Sequence, residues 1–239
     1  IAPDDFRRLA ARRAAAHPLY AELARVYPPP IAGWHQRHLA GGRIRLSVFW
    51  GDAAAGLVEL AALQRAPLDA WFLDGFAPDR NPALWSHACF EPIAALSAPG
   101  TTVATFTAAG RVRRALADAG FRMRRVDQRP HKRESLAGAF AAAGRTAYSP
   151  PRRATVFGAG LAGASVARQL AEAGVIVTVH DPHPPGSGRP GPGEPLPGSH
   201  MPTTVLHGRL LADPGPAGRL RCHAYLFAAA FATRFDGFT

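Results

Sequence analysis

The feature that most restricts the fold is the run RATVFGAGLAGASVARQLAEAGVIVTVHD, residues 153–181. An apolar strand pattern enters a glycine-rich turn, a helical pattern follows, and a second apolar strand ends on an acid, all within about 30 residues. Parallel strands joined through one helix make a βαβ unit, whose crossover is right-handed in nearly every known case. Gly158, Gly160 and Gly163 stand in GxGxxG spacing at the mouth of the helix. In that setting Gly158 permits the tight turn and Gly160 lets the backbone approach a pyrophosphate. Gly163 lets helix and strand pack closely, and the helix N-terminus offers its positive end to phosphate. Asp181 closes the second strand, where an acid accepts a hydrogen bond from the ribose 2′-hydroxyl. A nucleotide-binding unit is therefore expected from Ala154 onward. These residues leave FAD and NAD both open.

Upstream, strands alternate with helical patterns. Residues 4–26 read as helical until YPPP interrupts them, and GGRIRLSVFWGD alternates Ile44, Leu46 and Val48 before Gly51 and Asp52. A short helix is expected over residues 53–64. DAWFLDGF is then a strand, NPALWSHACFEPIAAL a helix, GTTVATFT a strand, AAGRVRRALADAG a helix and FRMRRVDQ a strand. The alternation predicts an α/β fold with a doubly wound, parallel sheet. Ligands of such sheets sit beyond the carboxyl ends of the strands. Asp52, Asp74 and Thr107 all fall at such ends and are expected to converge on one crevice. Residues 139–153 read as a linker. Beyond Asp181 a Pro/Gly-rich stretch precedes a last helical pattern at LRCHAYLFAAAFATRF.

The chain carries 28 Lys and Arg against 17 Asp and Glu, a formal net charge of +11. A polyanionic partner is one reading, and GC-rich coding bias is the other, since Lys132 is the one lysine. Distribution says more: between Arg111 and Arg133 nine basic residues face only Asp118 and Asp127. That density suits a phosphate backbone, although a solvated face also accommodates it. Cys89 and Cys222 stand in no metal-binding or disulfide spacing, so a reducing cytoplasm and no metal are expected. No apolar run approaches the roughly 18 residues of a membrane helix. The start, IAPDDFRRLAARR, has no signal-peptide pattern and no initiator Met, which predicts a missing N-terminal portion.

LDGFAPDRNPALW, followed by ATFTAAGRVRRALADAGF and HKRESLAG, resembles a specific family. Residues 1–138 look like the methyltransferase half of the bifunctional tRNA 5-methylaminomethyl-2-thiouridine biosynthesis proteins. In these an FAD-dependent oxidoreductase domain follows, the order seen here. The resemblance implies the C-terminal part of a Rossmann-like methyltransferase domain (1–138), a linker (139–153) and the opening βαβ of an FAD-binding Rossmann domain (154–239). It implies tRNA as partner, with FAD and S-adenosylmethionine as cofactors. The first removes the carboxymethyl group from the wobble carboxymethylaminomethyl-uridine; the second methylates the freed amine. Asp74 then becomes the catalytic candidate, orienting the amine and taking its proton. Asp52 is placed beside the adenine of the methyl donor, Phe76 against that adenine or the substrate base, and Arg111, Arg113, Arg114, Lys132 and Arg133 at tRNA phosphates. Two departures accompany the resemblance. Residues 1–60 hold nothing like the family's glycine-rich methionine cradle, so poor binding of S-adenosylmethionine, or none, is expected of the chain as it stands. Near the flavin segment only Ser199 and His207 match, and most of the oxidoreductase domain is expected beyond Thr239. A methyltransferase with a vestigial FAD-like tail and a non-catalytic tRNA-binding remnant are the alternative readings.

Overall fold

The computed structural model describes residues 3–130, 132–146, 148–183, 205–208 and 215–235. In chain order these form α1 (Pro3–Ala14), α2 (Pro18–Val26), β1 (Gly33–Leu39) and β2 (Ile44–Trp50). There follow α3 (Ala53–Leu63), β3 (Leu68–Leu73), α4 (His87–Ala95), β4 (Ser97–Thr105), α5 (Gly110–Asp118), β5 (Phe121–Gln128) and β6 (Lys132–Phe140). The last elements are β7 (Arg153–Phe157), α6 (Leu161–Glu172), β8 (Ile176–His180) and α7 (Pro216–Ala232). Two compact units result, one of residues 51–149 and one of residues 1–50 with 150–239. Ser199 lies outside the described residues, and His207 is exposed.

Residues 51–149 hold a four-stranded sheet in the order β3-β4-β6-β5. β3 and β4 are parallel, whereas β6 is antiparallel to both β4 and β5. The all-parallel expectation is thus corrected to a mixed sheet. The reason is the connection: only a few residues join β5 to β6, and a parallel return needs a crossover of a dozen or more. The residues ESLAGAF, read without a strand pattern, form most of β6 because Leu136 and Phe140 point inward while alanines face out. The single helix expected over NPALWSHACFEPIAAL is instead a 3-10 turn at Ala83–Trp85 followed by α4, with Ser86 extended between them. Helices α4 and α5 bury Phe90, Ile93, Val112 and Leu116 against Val103, Phe121, Leu136 and Phe140 of the sheet. Each such side chain contributes about 1.5–3 kcal/mol on leaving water.

Arg145, five residues past β6, folds back onto this unit. Its guanidinium donates to the carbonyls of Ala61, Gln64 and Ala95, and its backbone N–H donates to Ser97 O. These carbonyls lie at the C-terminal ends of α3 and α4, where helices leave acceptors unsatisfied and carry partial negative charge. Replacing Arg145→Ala is expected to lower the unfolding free energy by about 2 kcal/mol; denaturant titration of the variant checks it.

In the other unit the expected single N-terminal helix is two. Pro18 brings no N–H to continue α1, and His17 Nδ1 accepts from Leu19 N at 3.2 Å to cap α2. β1 and β2 form an antiparallel hairpin turned by Gly41 (φ +68°) and Gly42 (φ +94°). β1 had no expected counterpart: its inward residues include His35 and Arg37, both buried, so no apolar alternation marks it. β7 and β8 pair in parallel, with Arg153 opposite Ile176 and Phe157 opposite His180, and α6 connects them. At the C-terminal end of α6, Glu172 accepts from Arg234 at 2.7 and 3.2 Å and from Arg168 at 2.9 Å. The hydrogen bonds from Arg234 hold the Glu172 carboxyl down from 4.5 to about 2. A depressed carboxyl stabilises the fold above its unfolded value and loses that contribution as pH falls through its folded one. Stability is therefore expected to drop between about pH 4.5 and pH 2, and Glu172→Gln is expected to flatten that part of a stability–pH profile measured by urea unfolding.

Candidate functional site

β3 ends at Leu73, so Asp74 leaves the sheet at its carboxyl edge. One carboxylate oxygen accepts from Gly75 N at 2.9 Å, a local turn bond, and the side chain is exposed. Asp74 lines the mouth of a cavity of about 240 Å³ whose walls come from Ala53, Leu57, Leu73, Leu84, Cys89, Phe90 and Ile93. A carboxylate at the rim of an apolar cleft is the arrangement that orients a polar group of a mostly flat ligand.

The loop behind Asp74 is fastened at three points. Trp85, 8% exposed, donates its indole N–H to Phe76 O at 2.9 Å. Asn81 Oδ1 accepts from Leu84 N at 3.3 Å. Arg111 pairs with Asp79 at 2.6 Å and so ties the loop to the start of α5. The backbone is held while the Phe76 ring stands 69% exposed. A large apolar ring kept in water on a pinned loop is available to a planar ligand. The indole of Trp85 also meets Phe106 edge-on, at 5.7 Å between centroids. Trp71 is likewise part of the packed structure, donating to Ser97 Oγ at 3.0 Å.

Of the three residues expected to converge, Asp74 lines the cavity, Asp52 stands beside a residue that lines it, and Thr107 does neither. Asp52 sits at the N-cap of α3 and accepts from Ala55 N at 3.1 Å. Its neighbour Ala53 lines the same cavity as Asp74. Asp52 is near enough that its charge, after burial itself, raises the pKa of the Cys89 thiol. That thiol stays protonated at neutral pH and is no nucleophile. Thr107 is absent from the cleft wall: it is buried, its hydroxyl accepts from Ala109 N at 3.2 Å, and its carbonyl accepts from Thr105 Oγ1 at 2.7 Å. Its hydroxyl and carbonyl both serve the turn into α5. The sequence reading missed Leu84, Cys89, Phe90 and Ile93 as cleft walls, since nothing in their own patterns separates a wall from a core.

The basic candidates gather at the same end of the sheet. Arg111, Arg113 and Arg114 occupy the exposed face of α5, which starts just beyond β4. Thr105, the last residue of β4, pairs with Leu136, so Lys132 and Arg133 extend past that end on β6. Arg133 is exposed. Arg111 is engaged within the protein, through Asp79.

At the glycine turn, Gly158 has φ +98°, and its N–H donates to His180 O at 2.7 Å. A Cβ at Gly163 would fall 1.8 Å from Gly158 O, so only glycine permits this helix–turn approach. A Cβ at Gly158 would meet nothing within 4 Å, which leaves that side of the turn open. Gly160 is the N-cap of α6. Asp181 turns inward: its carboxylate accepts from Ala159 N at 2.5 Å and from His183 N at 2.7 Å. Among the described residues no cluster of His, Cys, Asp or Glu is placed to hold a metal ion, and no helix is long and apolar enough to cross a membrane.

A family model described as S-adenosyl-L-methionine-dependent methyltransferase matches residues 14–141. The chain is 47% identical over 176 residues to the tRNA 5-methylaminomethyl-2-thiouridine biosynthesis bifunctional protein MnmC of Marinobacter nauticus, covering 72% of this chain and 27% of that protein. It is 41% identical over 230 residues to the protein of the same name from Pseudomonas aeruginosa, covering 92% of this chain and 33% of that protein. The chain thus spans a third or less of the length of these relatives. A crystal structure of MNMC2 from Aquifex aeolicus overlaps it with a TM-score of 0.42 at 22% identity, over 53% of this chain and 38% of that one.

Trp85→Phe keeps a ring in the core and removes the N–H that holds Phe76 O. The expected outcome is a loss of about 1–2 kcal/mol together with faster amide hydrogen exchange across residues 75–81. Unchanged exchange alongside lower stability would mean that the loop is held by Asn81 and Arg111 alone.

Proposed function

The chain belongs to the S-adenosyl-L-methionine-dependent methyltransferase family, and on that basis we propose that residues 1–138 methylate an amine on a tRNA wobble uridine. The observation that carries this reading is Asp74 at the rim of the apolar cleft, with one oxygen given to Gly75 N and the loop behind it pinned by Trp85. When bound, S-adenosylmethionine supplies a methyl group on a sulfonium, which a neutral amine accepts. The cleft suits part of that donor: its apolar walls take a purine, and Asp74 brings a carboxylate to its edge, with Asp52 at the nearby N-cap of α3. Asp74 orients the amine by accepting its N–H, then takes the proton that the nitrogen must lose. Phe76 offers its exposed ring to the uracil or the adenine. Arg113, Arg114 and Arg133 meet tRNA phosphates from the same end of the sheet, with Lys132 beside them on β6 and Arg111 sharing its charge with Asp79.

For residues 154–239 the proposal is the opening of an FAD-binding domain. The residues fit the group in one respect, the open side of the Gly158 turn at the mouth of α6, where a pyrophosphate meets a helix N-terminus. Gly160 and Gly163 keep the turn close to the helix, and Asp181 braces it from the end of β8. FAD supplies a two-electron acceptor for removal of the carboxymethyl group. That step and the tRNA specificity are carried over from the names and the resemblance of the longer relatives, as is the bacterial cytoplasm as the place of action.

Asp74→Asn tests the assignment, because an amide still accepts from Gly75 N and so preserves the turn. Transfer of labelled methyl to tRNA bearing aminomethyl-uridine is expected to fall by about 100-fold or more at an unchanged melting temperature. A lower melting temperature with methyl transfer retained would make Asp74 a turn residue and overturn its catalytic role.

A further inference from the structure

Within the unit of residues 1–50 and 150–239, four arginines from four separate elements line one cavity of about 280 Å³. Arg25 comes from α2, Arg37 from β1, Arg168 from α6, and Arg234 from the residues after α7. Two carboxylates accompany them, and both are engaged. Glu22 accepts from Ala40 N at 3.0 and 3.2 Å, and Glu172 takes the guanidiniums of Arg168 and Arg234. The cluster keeps an excess of two positive charges.

Arg37 makes that excess significant. It is 6% exposed, and its guanidinium donates to two backbone carbonyls, Val26 O at 2.7 Å and Gln36 O at 2.8 Å. No carboxylate pairs with it among the described residues. Burial lowers its pKa. A buried cation without a counter-ion is destabilising, and an anion supplied from outside would offset that cost. Gly42 keeps the cavity wall clear: a Cβ there would fall 2.8 Å from Arg234 Nη2. His38, also in the wall, is held neutral by burial ahead of its charged neighbours, so the excess is carried by guanidiniums. Guanidiniums converging from several sides match the oxygens of a phosphate group better than those of a single carboxylate.

We propose that this cavity is a phosphate-binding site and that the phosphate it takes is a phosphodiester of bound RNA. It is separate from the glycine turn: that turn opens α6, whereas Arg168 and Glu172 lie in its C-terminal half, roughly 10–18 Å along the axis. Arg25 and Arg168 are exposed at the rim, so a phosphate held by a longer chain can reach the cavity without entering the core. The RNA half of the proposal rests on the tRNA reading above, and the phosphate half does not.

The test uses the whole chain and the double variant Arg25→Ala/Arg168→Ala, which leaves Glu172 paired with Arg234. Inorganic phosphate, titrated against chloride at matched ionic strength, is expected to raise the melting temperature of the wild-type protein and not of the variant. The slope of log affinity for tRNA against log salt concentration is expected to be shallower by about 2 in the variant. Loss of the phosphate response with an unchanged tRNA slope keeps the phosphate site and overturns the RNA backbone as its source. An identical response in both proteins, or none in either, overturns the site. A wild-type protein that does not bind tRNA sinks the tRNA reading, while the phosphate titration still decides the cavity.

Discussion

The indole N–H of Trp85 reaches across a turn to the carbonyl of Phe76, and the candidate active site depends on it. Trp85 is packed among core side chains, so its position is set by the burial that stabilises the whole sheet. The bond carries that rigidity out to a loop with little packing of its own. Asp74 and Phe76 are thereby held in water at a defined place, the condition for pre-organised chemistry at a strand end. The Asp79–Arg111 pair adds a second tether, but both partners are substantially exposed and contribute little on their own.

Arg145 plays a comparable part on the opposite side of the same unit. The stretch after β6 has linker composition, and composition is blind to a single guanidinium that satisfies three carbonyls at once. Such a contact joins positions up to 84 residues apart. No local periodicity encodes it. What was legible were the features whose physics is local: the glycine spacing at 158, 160 and 163, the strand ending in Asp74, and the amphipathic α5 with Val112 and Leu116 inward. What was not legible depended on partners distant in sequence. Topology put Asp52, Asp74 and Thr107 at strand ends alike, yet Asp74 lines the cavity, Asp52 caps α3 beside it, and Thr107 spends its hydroxyl on its own turn.

Net charge was a weak guide for the same reason. A formal +11 is compatible with a polyanion partner and with Arg-rich coding alike. Position discriminates where the total does not. Arg129 is paired with Asp127 and Arg125 with Glu134, both on exposed surface, and such pairs neutralise the basic segment locally. Arg113, Arg114 and Arg133 stand at the end of the sheet where β4 finishes and α5 begins. Under the proposed function, a phosphate backbone approaching Asp74 would be steered by these side chains and not by the charge of the chain as a whole.

β1 was invisible in the sequence because the residues that ought to mark its inner face are His35 and Arg37. A local rule broken in this way has a physical consequence, because the core then contains a charge it does not itself balance. Sequences tolerate such a conflict when something outside the local pattern resolves it, and functional sites are where conflicts of this kind collect. Here Arg37 opens onto a cavity reached by three more arginines, whose two carboxylates are already committed to Ala40 N and to Arg168 and Arg234. The guanidinium that hides the strand is also the one that no carboxylate among the described residues pairs with. A counter-ion delivered with the ligand resolves both, which is why the cavity reads as a binding site and not as an unbalanced corner of the core.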